Sequence, residues 1–328
     1  MRFVKMGVAL MLLAVLLSLT TANEWTTVSA QQVSRPLPRY NHVLVIMEEN
    51  HGYEQIIGNP AAPIINHLAQ AYGLATNYTG VGDPSAPNYV GILGGSTFGI
   101  ADDNPYYLHT INKPSLADQL ENAGLTWKGY FGGLAYPGYK GICFPVKCDG
   151  APDISPLYAA KHNGFPYFAH IQNNPQELQK MVPITQLDID LKADHLPNFS
   201  FIVPDQCHDM HGAPPYCVDD GKPGSVTDNF LVSQGDAYIG TLVKKVMDSS
   251  IWSNGNNAIV ITFDEGNNAQ SRIVTIVIAN HGSRGLRDST PYNHYSLLLT
   301  IEKVFGLGCL QNACDSDTIR PMVLLFAS

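Results

Sequence analysis

Beyond residue 30 the 328-residue chain has no apolar run long enough to cross a bilayer, so no transmembrane helix is expected in the body of the protein. Charge is scarce, at 14 % of residues, and bases are scarcer than acids: 19 Lys and Arg stand against 28 Asp and Glu, for a net charge of −9. An acidic surface of this kind argues against nonspecific binding to nucleic acid or to anionic lipid. There is no C-x-x-C pair, which leaves a structural zinc site as the lesser reading of the cysteines. Internal repeats, heptads and low-complexity linkers are also missing, which excludes solenoids, coiled coils and long disordered tethers.

What is present begins with a leader. Arg2 and Lys5 precede an apolar run from Met6 to Leu19, and small residues lead to Val28-Ser29-Ala30. That order reads as a secretory signal peptide over residues 1–30, cleaved after Ala30, with Ala22 a weaker alternative. Residues 31–328 then suffice for a single large domain. Six cysteines fall into three close pairs: Cys143 with Cys148, Cys207 with Cys217, and Cys309 with Cys314. In an exported chain, pairing neighbours is the simplest connectivity.

Short apolar runs at His42–Met47, Leu125–Phe131, Phe199–Val203, Ala258–Phe263 and Ile273–Ala279 read as strands. The last two are continuous rather than alternating, as strands covered on both faces require. Amphipathic stretches at Pro60–Tyr72, Ser115–Ala123, Asn229–Ser249 and His294–Phe305 read as helices between them. The alternation predicts an α/β fold, a three-layer sandwich with a mainly parallel central sheet. The segment from Tyr136 to Pro183 lacks regular pattern and is expected to form an insertion over the sheet.

Polar residues collect just after the apolar runs, where ligands gather in open α/β sheets. Glu48, Glu49 and Asn50 follow the first run; Asp205, His208, Asp209 and His211 follow the run ending at Val203; Asp264 and Glu265 follow Phe263; His281 follows Ala279. Any one of them is equally well a solvated loop residue or a helix cap. Together they point to one site drawn from distant segments. Carboxylates converging from two strand ends repel, and burying them without a counter-ion costs several kcal/mol. A divalent cation removes that cost. Histidine beside aspartate, as in Cys207-His208-Asp209-Met210-His211, suits zinc, iron or manganese better than magnesium. Such a cation also lets a negatively charged chain take phosphorylated ligands, because it reverses the field inside the cleft.

A nucleophile is offered by Gly82-Asp83-Pro84-Ser85-Ala86-Pro87-Asn88-Tyr89. Its prolines stiffen a turn. Ser85 falls at the start of a helix running toward Leu93, where free N–H groups favour an anion. A serine hydroxyl attacks only when a base or a metal activates it, and on spacing alone a plain N-cap is the simpler reading. Lys161, His162 and Asn163 are phosphate donors or a solvated turn; His294 is a ligand, a general acid or a cap.

The ordered stretches VLVIMEENHGYEQIIGNPAAPIINHLA (43–69), DPSAPNYVGILGGST (83–97), KHNGFPYF (161–168), PNFSFIVPDQCHDMH (197–211), GDAYIGTLVKKVMDSSIW (235–252), AIVITFDEG (258–266) and HYSLLLTIEKVFGL (294–307) resemble one family. It is the bacterial and fungal phosphoesterase family that contains secreted acid phosphatases and phosphatidylcholine-type phospholipases C. The resemblance implies an alkaline-phosphatase-like fold. It implies a divalent metal held by Glu49, Asn50, Ser85, Asp209, Asp264 and Glu265, with zinc, manganese, iron, calcium and magnesium all open. It makes Ser85 the nucleophile and Asn88 a brace for a phosphate oxygen, with His211 and His294 also catalytic. Lys161, His162 and His208 would bind substrate. Two departures stand out: Asp83 lies where relatives often carry histidine, and His208 where they often carry asparagine. The expected function is a secreted, extracellular or periplasmic acid phosphatase acting on a small phosphorylated substrate such as a phosphoinositide or nucleotide, without stable membrane insertion. A phospholipase C-like phosphodiesterase and a non-catalytic binding protein on the same fold are the alternatives.

Overall fold

The computed structural model describes residues 37–146, 148, 155–266, 268 and 270–327; the expected leader over residues 1–30 lies outside them. In chain order the principal elements are β1 (His42–Glu48), α1 (Pro63–Ala71), β2 (Gly73–Ala75), α2 (Ser85–Gly94), α3 (Leu116–Asn122), β3 (Trp127–Phe131), β4 (Met181–Pro183), α4 (Gln186–Lys192), β5 (Phe199–Val203), α5 (Val226–Met247), β6 (Asn257–Phe263), β7 (Thr275–Ala279), β8 (Arg287–Asp288) and α6 (His294–Phe305). Eight strands form one sheet in the order β8-β2-β7-β6-β1-β5-β3-β4.

The central strands are apolar on both faces because both faces are covered. Every residue of β5, β6 and β7 is buried. Each fully buried Ile, Val or Phe side chain contributes roughly 1.5–3 kcal/mol. β1 pairs in parallel with β5 and β6, and β3 pairs in parallel with β5 and β4. β7 runs antiparallel to β6 and β2. That reversal places the carboxyl end of β7 at the opposite end of the strands from those of β1, β5 and β6. His281, which follows β7, is therefore exposed and remote from the other strand-end residues, a correction to the expectation drawn from its position after an apolar run.

Successive side chains on a strand point to opposite faces. At the end of β1 this sends Glu49 to Ser85 and Tyr89 of α2, on the other face from Glu48. α1 packs on α5, and α2 packs on α6, which gives a helical layer to each side of the sheet. α2 is buried at every position, as expected for a helix apolar all round, and it stops at Gly95, whose φ of 73° suits glycine.

The segment 136–183 carries a two-stranded ladder, Cys143–Phe144 against Tyr158–Ala159, and then short helical turns. Its last residues, Met181–Pro183, belong to the main sheet as edge strand β4. All three neighbouring cysteine pairs are bridged: Cys143–Cys148, Cys207–Cys217 and Cys309–Cys314. Among the described residues no helix is long and apolar enough to cross a membrane.

Candidate active site

The register of three neighbouring strands assembles the site. Glu48 of β1 stands opposite Phe263 of β6, so the residues that follow them, Glu49 and Asp264, are neighbours. The Asp264 N–H donates to the Glu48 carbonyl at 2.9 Å, and the Glu49 N–H donates to the carbonyl of Asp209, in the loop after β5, at 2.8 Å. Glu49, Asp209 and Asp264 are each 0 % exposed. Asn50 continues the turn in the left-handed region, at φ 49°, which asparagine tolerates better than most residues, and its N–H donates to Asp264 Oδ1 at 3.2 Å.

Ser85 reaches this cluster from the first turn of α2. Its Oγ donates to Glu49 Oε2 at 3.2 Å and is itself 1 % exposed. The preceding residue, Pro84, gives the helix no side-chain cap. Tyr89, one turn along, donates its hydroxyl to Glu49 Oε1 and stacks on His162 with ring centroids 5.5 Å apart. Asn88 Oδ1 accepts from the N–H groups of Val81 and Gly82 at 2.8 and 2.9 Å, while its Nδ2 donates to Glu265 Oε2 at 3.2 Å and to the Gly82 carbonyl at 3.0 Å. A Cβ at Gly80 would come within 2.9 Å of both Asn88 Oδ1 and the Asp264 carbonyl, so only glycine lets this turn close against them.

The acids repel one another in the dark of the core. Burial first, then Asp264 and Asp209, raise Glu49 well above the usual carboxylate range. Burial likewise raises Asp209 well above its ordinary value, Asp264 to about 6 and Glu265 to about 8. Burial alone would lower Lys161, but the charges of Asp103 and Glu49 prevail and hold it above an ordinary lysine. His162 is pushed well below a free imidazole by burial, then by Lys161 and His211.

These atoms fit a divalent cation. Asn50 Oδ1, Asp209 Oδ2, Asp264 Oδ2 and His162 Nε2 are buried and have no hydrogen-bond partner. Each such orphan costs about 1–3 kcal/mol. Glu49, His162 and His211 each offer one ligand atom, all within 4.8 Å of one another. Oxygen donors with neutral imidazole are the set that zinc, manganese or iron takes. A second grouping, Glu121, His170 and Glu177, differs in kind: the Lys180 ammonium lies 2.7 Å from both Glu121 Oε1 and Glu177 Oε2 and fills the place of a cation.

The remaining expected residues divide. Lys161 and His211 line a cavity of about 350 Å³ with Asp103, Asn104, Gln206 and an apolar wall that includes Ile142 and Pro156. His211 Nδ1 bonds the Gly212 carbonyl at 2.9 Å, and its Nε2 lies 3.4 Å from Lys161 Nζ. His294 has both ring nitrogens engaged: Nε2 bonds the Asp264 carbonyl at 2.6 Å, and Nδ1 meets the Tyr78 hydroxyl at 3.1 Å. His208 turns to Asp205, 2.8 Å away, and packs on Tyr238, so its hydrogen bonds go outside the cluster. Three participants had no role assigned from sequence. Tyr89 sits in the quoted motif. Asp103 lies in a polar Asp-Asp-Asn turn with no distinguishing signal. His51 bonds the Glu49 carbonyl at 2.9 Å and Asp228 of α5 at 3.1 Å.

The sheet order gives the chain an alkaline phosphatase-like α/β fold, with an acidic cluster beside a helix-borne serine at the strand ends. The fold matches an alkaline phosphatase superfamily member from Vibrio parahaemolyticus (TM-score 0.55, 16 % identity, covering 83 % of this chain and 67 % of that one). It also matches a sulfatase from Pseudoalteromonas (TM-score 0.55, 14 % identity, 88 % and 72 %). Residues 59–308 match the Phosphoesterase family, and the chain belongs to it. It is 29 % identical over 273 residues to a phosphatidylinositol-3-phosphatase of Mycobacterium tuberculosis, covering 83 % of this chain and 79 % of the relative. It is 26 % identical over 276 residues to an acid phosphatase of Aspergillus fumigatus, covering 83 % of this chain but 56 % of that longer protein. Both relatives are named for the hydrolysis of phosphate monoesters.

Proposed function

We propose that this chain is a secreted, metal-dependent acid phosphatase whose Ser85 accepts the phosphoryl group from a small phosphate monoester and then yields it to water. After its leader the chain would work as one domain. The observation that carries the reading is the Ser85 hydroxyl at the first turn of α2, 3.2 Å from Glu49 Oε2 and surrounded by buried carboxylates whose oxygens lack partners.

Glu49, Asn50, Asp209 and Asp264 would hold the cation, with His162 and Glu265 at its margin and Ser85 as the reactive ligand. When bound, it supplies a lowered pKa for the serine hydroxyl and positive charge for the phosphoryl oxygens. Glu49 is the nearest acceptor for the proton that Ser85 gives up. The N–H groups of the first turn of α2 and the Lys161 ammonium supply positive potential where phosphate oxygens would sit. Asn88 holds the 80–82 turn and Glu265 in place, and so braces the first turn of the helix.

His211 is the better-placed proton donor to the departing alcohol, because it lines the cavity and its Nδ1 is fixed by the Gly212 carbonyl. Burial and then Lys161 lower it to about 4 in the free protein. A phosphate anion arriving beside it acts in the opposite sense and favours the imidazolium. Water on the same path would then hydrolyse the phosphoserine, with His211 taking a proton.

The Mycobacterium relative's name supports a phosphoinositide as one substrate to try, beside nucleotides and simple aryl phosphates. Ser85→Ala in the metal-replete protein should lower turnover of a chromogenic phosphate monoester by roughly three orders of magnitude or more, with an unchanged melting curve. It should also abolish acid-trapped labelling of the chain by phosphate. Turnover retained in that variant would remove Ser85 from the reaction.

A further inference from the structure

Asp103 occupies the donors that a phosphate group needs. Its Oδ1 accepts from the Ala86 N–H at 3.0 Å, and its Oδ2 accepts from Lys161 Nζ at 3.0 Å. Ala86 follows Ser85 in the first turn of α2, so its N–H has no acceptor within the helix and is free to take one from outside. Pro87, next along, has no N–H at all. Among the described residues, Lys161 is the cation lining the cavity. One carboxylate thus spans the helix N-terminus and the nearest ammonium. It also lines the cavity, while Ser85, one residue from its partner, is 1 % exposed.

A carboxylate is a fair mimic of one edge of a phosphate: two anionic oxygens on one centre, each taking a charge-assisted hydrogen bond. Two anions cannot share the same N–H and the same ammonium without strong repulsion.

We propose that Asp103 holds the place of the substrate phosphate in the free enzyme, and that a phosphate ester binds by displacing its carboxylate from the Ala86 N–H and the Lys161 ammonium. The inference rests on the phosphatase reading of the site. It makes Asp103 a determinant of affinity: every phosphate that enters must first break two charge-assisted hydrogen bonds, and product phosphate is expelled by the returning carboxylate. Free inorganic phosphate is thereby kept from saturating the enzyme.

The test compares the metal-replete wild-type protein with Asp103→Asn, Asp103→Ala and a control, Asp102→Asn. Asp102 carries the same charge next door but bonds His109, at 2.6 Å, and not the two donors. The readouts are the dissociation constant of inorganic phosphate by calorimetry, its competitive inhibition constant, and the KM and kcat of an aryl phosphate. Both Asp103 variants should bind phosphate about tenfold more tightly or better, the scale of one charge-assisted hydrogen bond released. KM should fall in step, and Asp102→Asn should stay near wild type.

Unchanged or weaker phosphate binding in either folded Asp103 variant would overturn the proposal and leave Asp103 as a structural cap on α2, which a lower melting temperature would register. Equal tightening in Asp102→Asn would overturn it in favour of a diffuse field effect. If the wild type hydrolyses no phosphate ester while phosphate still binds the Asp103 variants more tightly, the function proposed above fails, and what survives of this inference is a phosphate-binding site plugged by Asp103.

Discussion

Two histidines illustrate how far the surroundings of a residue decide its task. His211 and His294 are both depressed to about 4, and burial is the leading cause for each. One lines an open cavity, and the other is locked between a backbone carbonyl and a tyrosine hydroxyl. His211→Ala should lower kcat for an alkyl phosphate by about two orders of magnitude, and much less for an activated aryl phosphate whose leaving oxygen needs no proton. His294→Ala should instead strip Asp264 and Tyr78 of partners and lower the melting temperature by several degrees, with both substrates affected alike. Parallel kinetics and melts of the two variants check this; an alkyl-selective loss in His294→Ala would reverse the assignment. The amino-acid sequence carries the identity of these side chains but not their orientation. Asp103 was invisible for that reason: nothing about an Asp-Asp-Asn turn says that it folds back on a helix seventeen residues upstream.

Among elements, α6, like α2, starts at a residue that touches the site. Asn293 caps it, accepting from the N–H groups of Tyr295 and Ser296 at 3.0 and 3.2 Å, while Ser296 Oγ accepts from the Asn293 N–H at 3.3 Å. His294 follows at the first position, so the cap sets where the imidazole meets the Asp264 carbonyl. Asn293→Ala should cost about 1 kcal/mol of stability and reduce turnover as well. A denaturant melt with matched kinetics measures both, and full activity beside lost stability would separate the cap from the site. The helix itself was legible as an amphipathic run with matching bounds, and so was β5. β1, β3, β6 and β7 were legible as apolar runs to within two residues at either end, since burial on both faces leaves that mark. β2, β4 and β8 were not, because two or three residues are too few to show a period. Nor could strand direction be read. β7 looks like the parallel strands of the sheet in composition, and only its antiparallel pairing reveals that His281 faces away from the site.

For the whole molecule, the buried acids couple the fold to protons and, on the function proposed above, to a cation. Asp264 and Glu265 have folded pKa values raised from 3.8 and 4.5 to about 6 and about 8, with burial as the main cause. A raised carboxyl favours the folded state while it stays protonated. The stabilisation is complete below the unfolded values and is lost as pH climbs through the folded ones. The chelated protein should therefore melt at progressively lower temperature between about pH 4.5 and about pH 8. A saturating divalent cation should flatten that slope and restore the turnover that chelation removes. Calorimetric melts across this range, with and without chelator, decide it; identical slopes would mean that no cation is held by these groups. One more consequence follows from the sheet order β6-β1-β5. Hydrogen-bonded strands sit at a fixed spacing of about 4.8 Å, so the separation of the three loops bearing Glu49, Asp209 and Asp264 is set by backbone geometry and not by whatever decorates the rim. The outer wall built from Ile142, Pro156 and their neighbours hangs on a separate small ladder. On the function proposed above, swapping it for that of a relative should retune which alcohol is accepted while the reactive centre beneath stays as it is.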